Sequence, residues 1–214
     1  MSKLSEQASA SLSVSIGATL PNLVLRTNSL PQMLQQAAQY STGIFLIRER
    51  ESSDFLAYSD LLEAAERILA SLRQRGLQPQ DRVLIQLSDP RQFLLCLWGC
   101  FLGGYVPIPL SMDLSLERPK LRQAQELCLP SLVVTEGNIA DLATVEIASL
   151  LESDRDRQYY KGNLDDLALL LFTSGSTGKP KGVKLYVRKL LASVYGNAEV
   201  NKKSQQDITL NMMP

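Results

Sequence analysis

From residue 29 onward the apolar positions fall into two periods, and the changes of period divide the chain into elements. The first 28 residues follow neither. Ser9, Ser11, Ser13 and Ser15 alternate with small or apolar residues, and no continuous apolar stretch follows Lys3, so residues 1–28 read as a flexible tail and not as a signal peptide. Ser29-Leu30-Pro31 then sets a capping residue before a proline, which predicts a short helix to about Gln39. The β-rich run Gly43 to Ile47, the polar stretch Arg48 to Ser53 and the apolar Phe55 to Tyr58 predict a hairpin with a longer loop. Ser59 to Gly76 carries the clearest helical period: Ser59 reads as the cap, Leu61, Ala65, Ile68, Leu69 and Leu72 form one stripe, and Gly76 supplies a left-handed stop. Arg67, Arg73 and Arg75 fall off that stripe and read as a solvated face.

The second half of the pattern repeats a theme. Arg82 to Leu87 reads as a strand, Asp89-Pro90 to Leu102 as a deeply buried helix, and Tyr105 to Pro109 as an extended segment, which together make a βαβ unit. A helix from Leu116 to Cys128, a strand from Ser131 to Val134, a short apolar helix from Ala140 to Leu151 and a fully apolar strand from Leu167 to Phe172 continue it. Uninterrupted apolar strands belong to a sheet covered on both faces, so the expected class is α/β, layered helix/sheet/helix. The polar run Glu152 to Asp166 reads as a flexible surface connection. Residues 29–214 show no internal repeat and no linker, so they count as one domain.

Composition narrows the chemistry. Twenty-two basic against twenty-two acidic residues leave no net charge in 214 residues, so no global field recruits nucleic acid or an anionic membrane. The chain has no histidine, which removes imidazole acid/base catalysis, Ser-His and Cys-His nucleophile pairs and histidine metal sites. Cys96 and Cys100 share an apolar helical run, Cys128 stands alone, and no ligand spacing joins them. An odd count without Cys-x-x-Cys fits a reducing, cytoplasmic setting. No apolar run approaches the roughly 18 residues of a membrane span.

The chemistry-bearing segment follows the last apolar strand: Thr173-Ser174-Gly175-Ser176-Thr177-Gly178-Lys179-Pro180-Lys181-Gly182-Val183. Loops at the carboxyl ends of α/β strands are where such sheets bind ligands. Gly175, Gly178 and Gly182 permit positive φ, so successive backbone N–H groups can converge on an anion. The hydroxyls of Thr173, Ser174, Ser176 and Thr177 add donors, and Lys181 adds a cation; the composition asks for a polyphosphate. Two other readings stand beside this one. A Gly/Ser/Thr cluster also serves as a plain flexible loop, and a degenerate Walker A loop would need glycine at Thr173 and a hydroxyl at Pro180, which this sequence lacks.

Residues Leu170 to Val183 resemble, without a gap, the phosphate-binding signature of the adenylate-forming superfamily, which includes acyl-CoA synthetases, fatty-acyl-AMP ligases and nonribosomal peptide synthetase adenylation domains. Tyr58-Ser59 with Leu61-Leu62, Gly76 with Asp81-Arg82-Val83, and Gly103-Gly104-Tyr105-Val106-Pro107 are similar to that family's first core motifs in order and spacing. Asp207 to Pro214 is similar to a strand of one branch that includes adenylating modules of polyketide/peptide synthases. The resemblance implies an ATP-dependent ligase that joins a carboxylic acid to AMP with release of pyrophosphate. The acyl group then passes to CoA or to a carrier protein's phosphopantetheine thiol. It implies Mg²⁺, and β- and γ-phosphate binding by Thr173, Ser174, Gly175, Ser176, Thr177, Gly178, Lys181 and Gly182; Lys179 stands at the variable position.

Two departures qualify what the resemblance implies. Where family members place a histidine at the start of the next helix, this chain has Val187, after Lys184-Leu185-Tyr186. The family's adenine pocket, ribose-binding acid, most of the acyl pocket and the C-terminal domain with its catalytic lysine lie beyond the position matched by Pro214. The expectation is therefore a truncated N-terminal part of an adenylate-forming large domain. It holds no identifiable catalytic residue, is inactive alone, and is completed by more sequence or by a separate chain. A non-catalytic remnant or interaction module with vestigial phosphate binding is the alternative. An unpaired edge around Ile208 to Met212 would favour self-association.

Overall fold

The computed structural model describes residues 29–47, 53–110, 124–137, 144–173, 181–203 and 207–209. Residues 1–28, 48–52, 111–123, 138–143, 174–180, 204–206 and 210–214 lie outside them. Ser29 opens α1 (Leu30–Ala37), its hydroxyl accepting from the Gln32 N–H at 3.4 Å. The hairpin forms as expected: β1 (Gly43–Ile47) and β2 (Ser53–Ala57) pair antiparallel, with Phe45 opposite Phe55.

Helix α2 (Tyr58–Gln74) begins directly at the end of β2, and this corrects the reading of Ser59 as its cap: Ala57 is the cap residue, and no side chain caps the helix. The hairpin does that work through its backbone, because the Tyr58 N–H donates to the Thr42 carbonyl at 3.0 Å. At the other end Gly76 takes the left-handed φ of 86° that stops the helix.

The βαβ unit also forms. β3 (Arg82–Gln86) and β4 (Val106–Pro109) run parallel across α3 (Pro90–Gly103), whose Asp89 cap accepts from the Gln92 N–H at 3.0 Å. A short helix α4, described over residues 124–128, precedes β5 (Leu132–Thr135), which pairs parallel on the other side of β3. The helix expected from Ala140 to Leu151 is shorter: Val145–Glu146 forms β6 against β5, and only α5 (Ile147–Leu150) is helical among the described residues. The sheet order is β4-β3-β5-β6, all parallel.

Strand periodicity shows why an uninterrupted apolar run suits this sheet. Val83, Ile85 and Val134 enter one core with α2, α3 and α5, including Leu61, Ile68, Leu72, Cys96, Cys100 and Leu102. The intervening Leu84 and Val133 face a second cluster with Ala124 of α4, against which Leu110 and Phe172 pack. Both faces are buried there, so the central positions Val83 to Ile85 and Leu132 to Val134 are apolar in succession. Helix α3 approaches α2 closely at Gly99, where an added Cβ would lie 2.5 Å from Ile68 Cγ2.

The connection after α5 is not a loose loop. Its run of charges, invisible to a hydropathy pattern, is laid along α2 by ion pairs and backbone bonds. The Asp156 N–H donates to the Glu66 carbonyl at 3.2 Å and the Tyr160 N–H to the Leu102 carbonyl at 2.8 Å. The Glu66 side chain is buried and accepts from Arg155 Nε at 2.6 Å and from the Tyr159 hydroxyl, while Arg155 also reaches Glu63 at 2.8 Å. Arg73 binds Asp156 and the Gln158 carbonyl, Arg67 the Ser153 carbonyl at 3.3 Å, and Arg75 Ser71 and Ser149. Of the three arginines read as a solvated face, Arg67 and Arg73 anchor this strap, while Arg75 bonds within α2 and to α5.

The last elements depart from the parallel theme. β7 (Leu167–Thr173) and β8 (Lys181–Tyr186) form a separate antiparallel ladder that leads into α6 (Val187–Val200). A parallel crossover takes a dozen or more residues, and the segment between these strands is too short for one. Ala168 is buried in β7, but Leu169 to Phe172 are only partly covered, Leu191 is the buried residue of α6, and Ile208 is 94% exposed.

Candidate phosphate-binding site

The glycine- and hydroxyl-rich segment takes in the last residue of β7, the first residues of β8 and the sequence between them. Its two ends are brought together by the ladder, with Thr173 opposite Lys181 and Phe172 opposite Gly182. Ser174, Gly175, Ser176, Thr177, Gly178, Lys179 and Pro180 lie outside the described residues. Of the eight residues expected to contact phosphate, the described backbone thus juxtaposes Thr173, Lys181 and Gly182, and the other five lie outside the described residues. The backbone register sets a threonine and a lysine on one rung, at the two ends of a segment whose sequence is rich in serine, threonine and glycine.

Gly182 differs from expectation. It sits in the β8 strand without a positive φ, and an added Cβ would meet Leu170 Cδ1 at 3.5 Å, an ordinary contact. The conformational argument for glycine therefore does not apply at 182. The hairpin also separates the segment from a Walker A loop, which leads into a helix; here β8 intervenes and α6 starts only at Val187.

The hairpin's opposite end is tied down. The Val187 N–H donates to the Asp166 carbonyl and the Arg188 N–H to the Leu164 carbonyl, both at 3.0 Å, and Arg188 pairs with Asp165. Val187, at the position where the resembled family has histidine, opens α6 without a side-chain cap. Phe172 seats the loop end of β7 on the Leu84, Ala124 and Val133 cluster.

Other chemically suggestive groups are satisfied internally. Glu136 lies beyond β5 and accepts from the Ser88 N–H at 2.5 Å, the Asp89 N–H at 2.9 Å and the Ser88 hydroxyl. The Ser88 hydroxyl, helped by these N–H groups, holds its carboxyl below the usual range. The donors before α3 thus already serve an anion of the chain's own. Cys96, Cys100 and Cys128 are free and buried, and burial pushes the Cys100 thiol well up, which disfavours the thiolate a nucleophile needs. Tyr105 is pushed up to about 12 by burial, with Arg73 opposing. Among the described residues no group of His, Cys, Asp or Glu is arranged to hold a metal ion, and no helix is long and apolar enough to cross a membrane.

A family model described as AMP-binding enzyme matches residues 33–214. The chain belongs to that family. Tyrocidine synthase 3 of Brevibacillus parabrevis is 32% identical over 150 residues, covering 65% of this chain and 2% of the synthase. The structure of McyG A-PCP complexed with phenylalanyl-adenylate superposes with a TM-score of 0.79 at 31% identity, covering 87% of this chain and 32% of that one. Fatty acyl-adenylate ligases from E. coli and L. pneumophila share the fold, with a TM-score of 0.73 at 24% identity over 84% of this chain and 36% of theirs. The AMP-binding chain thus spans about a third of the structures it matches, corresponding to the N-terminal part of an adenylation domain.

Sequence reasoning missed Glu66 and Gln80. Glu66 lies on the flank of the α2 stripe, where a lone acid reads as solvated. Gln80 had a usable signal: Pro79-Gln80-Asp81 follows a helix stop and marks a turn whose third residue often requires positive φ.

Proposed function

We propose that this chain is the phosphate-binding N-terminal section of an ATP-dependent acyl-adenylating ligase. In the complete activity a carboxylate oxygen bonds to the α-phosphorus of ATP while the bond from that phosphorus to the bridging β-phosphate oxygen breaks, releasing pyrophosphate. A thiol, of CoA or of a carrier protein's phosphopantetheine arm, then takes the acyl group and AMP departs. The observation that carries the reading is the hairpin register, which sets Thr173 against Lys181 at the ends of the Ser/Thr/Gly-rich sequence, within a chain that belongs to the AMP-binding family.

In this reading Thr173, Ser174, Gly175, Ser176, Thr177, Gly178, Lys181 and Gly182 hold the β- and γ-phosphates. Their role is to neutralise charge on the departing pyrophosphate and to fix the triphosphate for in-line attack. Mg²⁺, when bound, supplies further charge neutralisation of the phosphates. The free cysteines suit a reducing cytoplasm.

The half-covered face of β7 and the exposed positions of α6 are where further polypeptide of the complete ligase, covalent or separate, would pack. The 214-residue chain binds the triphosphate but does not adenylate by itself. Exchange of labelled pyrophosphate into ATP, assayed with this chain and a broad set of carboxylic acids, is expected at background; exchange above background overturns the claim of inactivity.

A further inference from the structure

We propose that Gln80 is the positioning residue that seats the phosphate-loop hairpin against the parallel sheet. Gln78 to Asp81 form a tight turn, closed by the Asp81 N–H donating to the Gln78 carbonyl at 3.0 Å and by the Asp81 carboxylate accepting from the Gln78 N–H at 2.8 Å. Pro79 is its second residue and Gln80 its third, with φ of 73°. This is the position that a turn with positive φ reserves for glycine, since a side chain there is strained. The turn alone would be served better by glycine, so the side chain has to be explained by what it reaches.

It reaches the first residue of β7. Gln80 Oε1 accepts from the Leu167 N–H at 3.1 Å, and Nε2 donates to the Leu167 carbonyl at 3.4 Å and to the Gly104 carbonyl at 3.2 Å. Its own backbone N–H donates to the same Gly104 carbonyl at 2.8 Å. The carboxamide therefore acts as a free-standing peptide unit, pairing with both backbone groups of Leu167 while holding the residue that leads into β4. β4 and β7 lie side by side, yet no ladder joins them among the described residues. Gln80 supplies a rung there from a side chain.

Burial does not account for the residue, because Gln80 is exposed and belongs to neither core cluster. Its effect on the site passes along β7, which runs from Leu167 at the pin to Thr173 at the loop. A tilt at one end of a strand displaces the other, where Phe172 packs on the Leu84, Ala124 and Val133 cluster. The relevance to phosphate binding rests on the proposed function; the seating of the hairpin does not.

The test compares the full chain with Gln80→Gly, which keeps the turn, and with Gln80→Asn, whose shorter amide cannot span to Leu167. Residue-resolved amide exchange is expected to run about tenfold faster at Leu167 and in β7–β8 in both variants, with Val83 to Ile85 of β3 unchanged, because exchange reports local opening. The melting temperature of Gln80→Gly is expected to stay within about 2 °C of the parent, since relief of the strained φ offsets the lost bonds. Exchange in β7–β8 within twofold of the parent overturns the proposal, and so does an equal acceleration in β3. Titration with magnesium tripolyphosphate then separates the two claims: severalfold weaker binding by Gln80→Gly supports the link to the loop. Absence of binding by the parent sinks the phosphate reading, while amide exchange still decides the role of Gln80.

Discussion

Replacing Glu66 with glutamine removes one charge at the centre of the strap without changing the shape of the side chain. The Glu66 side chain is 2% exposed and is paired with Arg155, whose side chain is 30% exposed, and at 3.8 Å with Arg157, 70% exposed. Breaking a fully buried pair from one side costs about 3–5 kcal/mol, because the abandoned charge cannot reach water. Both arginines here can turn to solvent, and Arg155 keeps Glu63 at 2.8 Å. The Tyr159 hydroxyl can still donate to the glutamine oxygen. The loss is therefore below that range, about 2 kcal/mol, or about 4–8 °C in melting temperature for a chain of this size. Circular-dichroism melts of the parent, Glu66→Gln and Glu63→Gln provide the assay. Glu63 is 45% exposed, and its removal is expected to cost about 0.5 kcal/mol and to be largely masked by salt. The Glu66 loss should persist in high salt and be accompanied by faster amide exchange at residues 154–160. A Glu66→Gln variant melting within about 1 °C of the parent would refute the reasoning that the strap is locked by a buried charge.

Other consequences follow from the same geometry. Glu136 has a folded pKa below its ordinary 4.5, so its stabilising contribution is full above that value and is lost as pH falls through the lowered one. Denaturant midpoints of Glu136→Gln should lie below the parent's at pH 7 and draw together with them as the pH is taken down through the acid range; a constant gap would contradict the assignment. Gly99→Ala puts a Cβ 2.5 Å from Ile68 Cγ2 and should cost about 1–3 kcal/mol by urea unfolding as α2 and α3 are pushed apart. Gly104→Ala combines φ of 69° with a Cβ 2.0 Å from Tyr160 Cδ1 and should be more damaging than Gly99→Ala by the same assay.

What could be read from the sequence was what local chemistry decides. The α2 stripe, the Asp89-Pro90 start of α3, the Gly76 stop and the βαβ unit all rest on periodicity or on one residue's backbone preference, and all are found. Failures came where long-range contacts override local ones. Ser59 lost the cap to a backbone bond from Tyr58 to Thr42, β7 paired with β8 outside the parallel sheet, and the polar connection was pinned by ion pairs and a tyrosine hydrogen bond spanning 83 to 93 residues of sequence. The candidate site was legible as a motif, because its residue types carry the chemistry. Its placement on a hairpin was not, since a strand of half-covered leucines reads the same whether its partner runs parallel or antiparallel.

The most direct test of the account is calorimetric titration of the 214-residue chain and of Lys181→Ala with magnesium ATP, with tripolyphosphate and adenosine as competitors. The account predicts measurable binding by the parent, displacement by tripolyphosphate but not by adenosine, and affinity about tenfold weaker in Lys181→Ala, the worth of one charge-assisted contact. Equal affinity of the two proteins, or no heat of binding by the parent at millimolar ATP, would contradict the claim that the segment from Thr173 to Gly182 is a polyphosphate site.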